Sequence, residues 1–125
     1  MKVESIYHPR VVTAQADERL PAAAARMQDR QVRSLVVIAG RRFVGILTEH
    51  DVARAVADET DAGLVTVGDY MTGQPATVSL DSDVREVVRT MLELDCRHLP
   101  VVHAGVVVGM VSLHDLVDSL LRAAT

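Results

Sequence analysis

The chain is written twice. Sliding the sequence along itself by 64 positions, the interval from Asp51 to Asp115, lays its second half on its first without a gap. Val3 falls on Val67, Thr13 on Thr77, Asp17 on Asp81, Met27 on Met91 and Arg33 on Arg97. Leu35 then meets Leu99, Val44 meets Val108, Gly45 meets Gly109, His50 meets His114 and Asp51 meets Asp115. Chance does not hold one register over so many positions, so the chain is a tandem duplication. The copies run over residues 3–57 and 67–121, with a linker at 58–66 punctuated by Asp61 and Gly63.

Each copy carries the same succession of periodicities. A short β-rich run, Val11–Ala14 or Ala76–Val78, is followed by Asp17 or Asp81 where a helix N-cap is expected. Leu20, Ala23, Ala24 and Met27 recur at helical spacing, as do Val84, Val87, Val88 and Met91. Pro21 is tolerable near a first helical turn, where its missing N–H costs little. Two β-rich runs around a turn come next: Leu35–Ala39 and Phe43–Leu47 about Gly40-Arg41-Arg42, then Leu99–Val102 and Val106–Val111 about Ala104-Gly105. A short helix closes each copy, Glu49–Ala57 or Leu113–Leu121. The fold class is therefore α+β, with the order β-α-β-β-α given twice. One copy of roughly 55 residues buries little surface alone. The expected solution packs two copies about a pseudo-two-fold axis, leaving related clefts between them.

Composition narrows the function. Of the 125 residues, 49 % are hydrophobic and 24 % charged, the balance of a soluble globular domain. Thirteen Lys and Arg stand against 17 Asp and Glu, a net charge of −4 that gives no general attraction for a nucleic-acid backbone. Aromatics are 2 %, too few for base-stacking platforms. The one cysteine, Cys96, forms no internal disulfide and holds no structural zinc alone. His98 and His103 lie five apart, on opposite faces of a strand, so no metal site is expected. Apolar runs such as Leu35–Ala39 are far shorter than a membrane span, and the start Met1-Lys2-Val3-Glu4 has no signal-peptide stretch. A cytoplasmic protein is the expectation. Ser5 and Ser34 have no base in evident reach, and no acid–base constellation suggests an enzyme.

The chemistry concentrates in Gly45-Ile46-Leu47-Thr48-Glu49-His50-Asp51 and Gly109-Met110-Val111-Ser112-Leu113-His114-Asp115. Each leaves a strand through a hydroxyl residue and enters a helix with a carboxylate three positions on. Two uses fit that spacing. Thr48-x-x-Asp51 and Ser112-x-x-Asp115 approximate a helix capping box, with Asp for the usual Glu or Gln. The same groups also suit a nucleoside phosphate: N–H groups and a hydroxyl for an anion, and a carboxylate accepting from the two hydroxyls of a ribose. With so few aromatics, a base would lie between aliphatic side chains such as Ile46, Met110, Val12 and Val37.

A tandem β-α-β-β-α unit closing in G-h-h-[ST]-x-x-D (h being apolar) resembles a pair of CBS domains, named after cystathionine β-synthase and also called a Bateman module. The resemblance covers residues 3 to 121 and includes Arg33-Ser34-Leu35-Val36-Val37 and Arg97-His98-Leu99-Pro100-Val101-Val102. It implies a stand-alone regulatory module that binds AMP, ADP, ATP or S-adenosylmethionine between the repeats and signals to an effector protein, with no obligatory cofactor. It further implies one site of Ser112 and Asp115 with Arg10, Val12 and Arg33, and another of Thr48 and Asp51 with Gln74, Ala76 and Arg97. His50 and His114 stand where nucleotide-binding members often carry a basic residue; neutral imidazoles compensate phosphate weakly, favouring a monophosphate or an uncharged adenosine compound. The same pair could instead be solvent-facing or sense pH. Val117, Leu120 and Leu121 with Val52 and Val56 are a candidate homodimer face. The rival to the sensor is an interaction module with empty clefts.

Overall fold

The computed structural model describes residues 1–58, 61 and 63–124. The chain divides into two compact units, residues 12–75 and residues 1–11 with 76–125. In the first lie β1 (Thr13–Gln15), α1 (Leu20–Arg30), β2 (Ser34–Ala39), β3 (Arg42–Thr48), α2 (Glu49–Ala57), α3 (Val67–Tyr70) and β4 (Thr72–Gly73). In the second lie a 3-10 turn (Val3–Ser5), β5 (Val78–Ser79), α4 (Val84–Leu94), β6 (His98–His103), β7 (Val106–Ser112) and α5 (Leu113–Ala123). Of the linker expected at 58–66, Glu59, Thr60 and Ala62 lie outside the described residues. Thr66 already enters α3, its N–H donating to the Asp69 carboxylate at 2.9 Å.

The sheets follow the duplication closely. β1 pairs parallel to β2 and β2 antiparallel to β3; β5, β6 and β7 do the same. The irregularity at Val37/Ile38 recurs at Val101/Val102, 64 positions on. One difference has a covalent cause. The Val36 N–H donates to the Val12 carbonyl at 2.9 Å, and Pro100 replaces Val36 in the second copy. Proline has no N–H to give, and the parallel pairing there starts only at Val78 with Val101.

Apolar periodicity fills each unit's core. Leu20, Ala23 and Met27 on α1 pack with Leu35, Val37 and Leu47; Val84, Val87 and Met91 on α4 pack with Leu99, Val101 and Val111. Burying each larger side chain stabilises by roughly 1.5–3 kcal/mol. The N-caps differ from expectation. Asp17 and Asp81 do not cap: α1 starts after Arg19, whose side chain makes no capping bond, and α4 after Asp83, which accepts from the Arg85 N–H at 2.8 Å. The donors at both helix starts are met at long range. Leu20 N–H reaches the Val65 carbonyl and Val84 N–H the Met1 carbonyl, each at 3.0 Å. Asp81 instead accepts the Ser79 hydroxyl at 2.6 Å, which holds its carboxyl below the usual range.

Those long-range bonds belong to an exchange of lead-in segments. Val67, which begins the second copy, is fully buried in the core of residues 12–75, while Val3, which begins the first, is fully buried in the other. Val67 N–H donates to Glu18 and Gly68 N–H to Ala16; Val3 N–H donates to Ser82 and Glu4 N–H to Leu80. The motif glycines exist for this exchange. A Cβ on Gly45 would sit 2.5 Å from the Thr72 carbonyl oxygen, and one on Gly109 would sit 2.2 Å from that of His8 and 2.6 Å from the Tyr7 ring. Overlaps of that size force the backbone apart. Gly109→Ala is expected to lower stability by at least about 2 kcal/mol in urea unfolding. An unchanged midpoint would show that the 1–11 segment does not lie against β7.

Candidate functional site

Both hydroxyl–carboxylate motifs sit where a strand ends and a helix starts, β3 into α2 and β7 into α5. In the first, the capping box is complete. The Thr48 N–H donates to Asp51 Oδ2 at 2.8 Å and its hydroxyl to the same oxygen at 3.1 Å, while the Asp51 N–H donates to Thr48 Oγ1 at 3.4 Å. Arg54 lies 3.6 Å from Asp51 Oδ1, donates to the Tyr70 carbonyl at 2.9 Å and stacks 5.3 Å above the Tyr70 ring. The Tyr70 hydroxyl donates to Asp58 at 2.8 Å. Asp51 is thereby 4 % exposed, and its carboxylate serves the helix start.

The second motif is built differently. Asp115 N–H donates to Ser112 Oγ at 3.2 Å and the Ser112 hydroxyl returns to Asp115 Oδ2 at 2.7 Å. The further partner is a side chain: His8 Nε2 lies 2.6 Å from the same Oδ2. The Asp115 side chain is 36 % exposed and that of His8 64 %. Burial works against ionisation of Asp115, but the hydrogen bonds from Ser112 and His8, with the electrostatic pull of His8 and His114, hold its carboxyl below the usual range. His8 was missed by sequence reasoning. It lies 107 residues from Asp115 in sequence and arrives through the lead-in exchange, where its N–H and carbonyl bond to Met110 at 2.8 and 2.9 Å.

The other candidates take several positions. Ile46 and Met110 are buried, whereas His50 and His114 are exposed on their helices. Arg33 and Arg97 are exposed, and their carbonyls accept from the first helical N–H groups, Glu49 at 3.1 Å and Leu113 at 2.8 Å. Arg10 and Ala76 are exposed in the unit that holds Ser112 and Asp115. Gln74, at a left-handed φ of 47°, and half-buried Val12 belong with Thr48 and Asp51. Val12 also lines a groove of about 440 Å³ with Thr13, Ala14, Gln15, Glu18, Arg26 and Arg30. Its Arg26 is committed to Glu18 at 2.5 Å and to the Thr13 carbonyl at 3.0 Å. On the helices, Val56, Val117 and Leu121 are exposed while Val52 and Leu120 are half-buried against their cores. Among the described residues no helix is long and apolar enough to cross a membrane.

Two copies of one strand–helix motif, each completed by the other copy's lead-in, define a paired-repeat module. The family model for the CBS domain matches residues 3–58 and 67–122, and the chain belongs to that family. A 17.7 kDa protein of Acidianus ambivalens is 34 % identical over 99 % of this chain and 76 % of its own length. Inosine-5′-monophosphate dehydrogenase of Korarchaeum cryptofilum is 31 % identical over 92 % of this chain, which spans only 23 % of that enzyme. Among solved structures, the CBS domain pair of protein MJ0100, in complex with 5′-methylthioadenosine and S-adenosyl-L-methionine, superposes with a TM-score of 0.87 at 25 % identity, covering 100 % of this chain and 98 % of that one.

Two outcomes test this geometry. Thr48→Ala removes a completed cap and is expected to cost about 1 kcal/mol in chemical unfolding. Because the folded-state pKa of Asp115 is lowered, the stability it contributes is full above the ordinary carboxylate pKa near 4 and is lost as pH falls through the lower folded value. Asp115→Asn should flatten that acid limb of the stability–pH curve; an identical limb in both proteins would contradict the contacts described.

Proposed function

We propose that this CBS pair is a regulatory sensor, not an enzyme. In this reading it binds an adenosine-containing ligand (AMP, ADP, ATP or S-adenosylmethionine), with Asp115 accepting from the ribose hydroxyls and Ser112 beside the ligand's sugar or phosphate. The observation that carries the reading is the Asp115 carboxylate, partly exposed and bonded to Ser112 and to the exposed side chain of His8. Membership of the CBS family and the likeness to a pair solved with two adenosine compounds support it. Asp51 is the second diol acceptor, at lower affinity, because a ligand there competes with the Thr48 N–H and with Arg54. Exposed His50 and His114 stand where an arginine would compensate phosphate more strongly, which favours a monophosphate or an uncharged adenosine compound over a triphosphate. Arg10, Arg33, Arg97, Gln74 and Ala76 are the flanking contacts, with Ile46, Met110 and Val12 against the base.

Signalling follows from differential affinity. A ligand favours one conformation only by the amount it binds that conformation better, and an effector protein that recognises it reads the result. Val117 and Leu121, exposed on α5, are the proposed contact with that effector or with a second copy of the chain. A thermal-shift panel of AMP, ADP, ATP, S-adenosylmethionine and NAD tests the reading. At 100 times its dissociation constant a true ligand adds about 2.7 kcal/mol of stability. Asp115→Ala should abolish most of the shift and Asp51→Ala a smaller part. No shift with any compound would leave an interaction module whose exposed apolar helices mediate assembly.

A further inference from the structure

We infer that His8 is a latch on the Asp115 carboxylate, an affinity-setting residue that a ribose diol must displace and that the Asp51 motif lacks. The inference rests on the diol reading above. Asp115 Oδ2 already receives the Ser112 hydroxyl at 2.7 Å and His8 Nε2 at 2.6 Å. A carboxylate that takes both hydroxyls of a diol uses an oxygen for each, and a third donor at Oδ2 competes directly with one of them. His8 can leave. Its side chain is 64 % exposed, and its place in the fold is secured by the main-chain bonds to Met110, which stay when the imidazole swings away. His8 from the lead-in and His114 on α5 both hold the Asp115 carboxyl below its usual range, so release of His8 removes one of those attractions.

The other motif serves as an internal control. Position 8 corresponds, 64 residues on, to Thr72, and the partners of Asp51 are its own cap, Thr48, and Arg54. Both carboxylates bond to their cap hydroxyl, but Asp51 is further held by the Thr48 N–H and Arg54, whereas Asp115 is further held by the exposed His8 side chain. The first yields only at a cost to folding; the second yields to a ligand that supplies equivalent donors.

Calorimetric titration of the full chain with AMP and with 2′,3′-dideoxy-AMP tests the latch, using wild type, His8→Ala and His8→Thr, the residue found at the matching position. Both variants should bind AMP about tenfold more tightly than wild type, the loss of one charge-assisted competitor. Dideoxy-AMP, with no diol to compete for the carboxylate, should gain nothing, and adding Asp115→Asn should erase the gain for AMP. A general structural effect of the substitution would move both ligands alike. Unchanged or weakened AMP binding in both variants overturns the latch while leaving the adenosine reading intact. Absence of binding by wild type and variants alike overturns both.

Discussion

Everything in this fold depends on the exchange of lead-in segments between the two copies. A β-α-β-β-α unit leaves the first donors of its long helix unmet and an apolar gap beside it. Val67 with the Val65 carbonyl closes one unit, and Val3 with the Met1 carbonyl closes the other. The compact units therefore do not coincide with the sequence repeats: each borrows its first residues from its twin. That explains why both copies carry a glycine at the middle of their second long strand. The borrowed backbone runs so close to Gly45 and Gly109 that no side chain fits between.

What could be read in the sequence is what depends on local order. The repeat, the α+β alternation and the core positions Leu20, Ala23, Met27, Val84, Val87 and Met91 follow from periodicity, which burial obeys directly. The helix starts were misplaced because Asp17 and Asp81 looked like caps, whereas the donors they would have met are satisfied from residues far along the chain. The left-handed residues that end α1 and α4, Gln31 and Asp95, carry φ angles of 55° and 52° at matched positions without the glycine that usually announces such a turn. Helix α3 opens the second copy, just past the expected linker, where no helix was read although Thr66-x-x-Asp69 has the same spacing as the two motifs that were recognised.

The site was half legible for the same reason. Hydroxyl and carboxylate are three residues apart, and that spacing is a local property visible in any sequence. Whether the carboxylate turns to its own main chain or outward is decided by residues brought in by the exchange. Arg54 faces Asp51 and is held over Tyr70, and at the matched positions of the other unit stand Asp118 and Ile6. Neither replacement can build the same arrangement: an isoleucine offers no ring face to a cation, and an aspartate repels the carboxylate three residues before it.

Duplication thus supplies its own comparison of environments. With the strand, turn and helix start held nearly constant, the two acidic side chains differ through their neighbours. The one beside the Arg54 guanidinium, itself stacked on Tyr70, is buried and bonded to the main chain of its own helix start, so a ligand there competes with the cap. The one facing an exposed imidazole keeps a hydrogen bond that can be traded for another of equal kind, and recognition of a small molecule requires such an exchange. A pair of identical motifs placed in identical surroundings would hold their carboxylates alike. Divergence at positions 6, 8 and 118 against 70, 72 and 54 leaves one carboxylate buried and the other partly exposed.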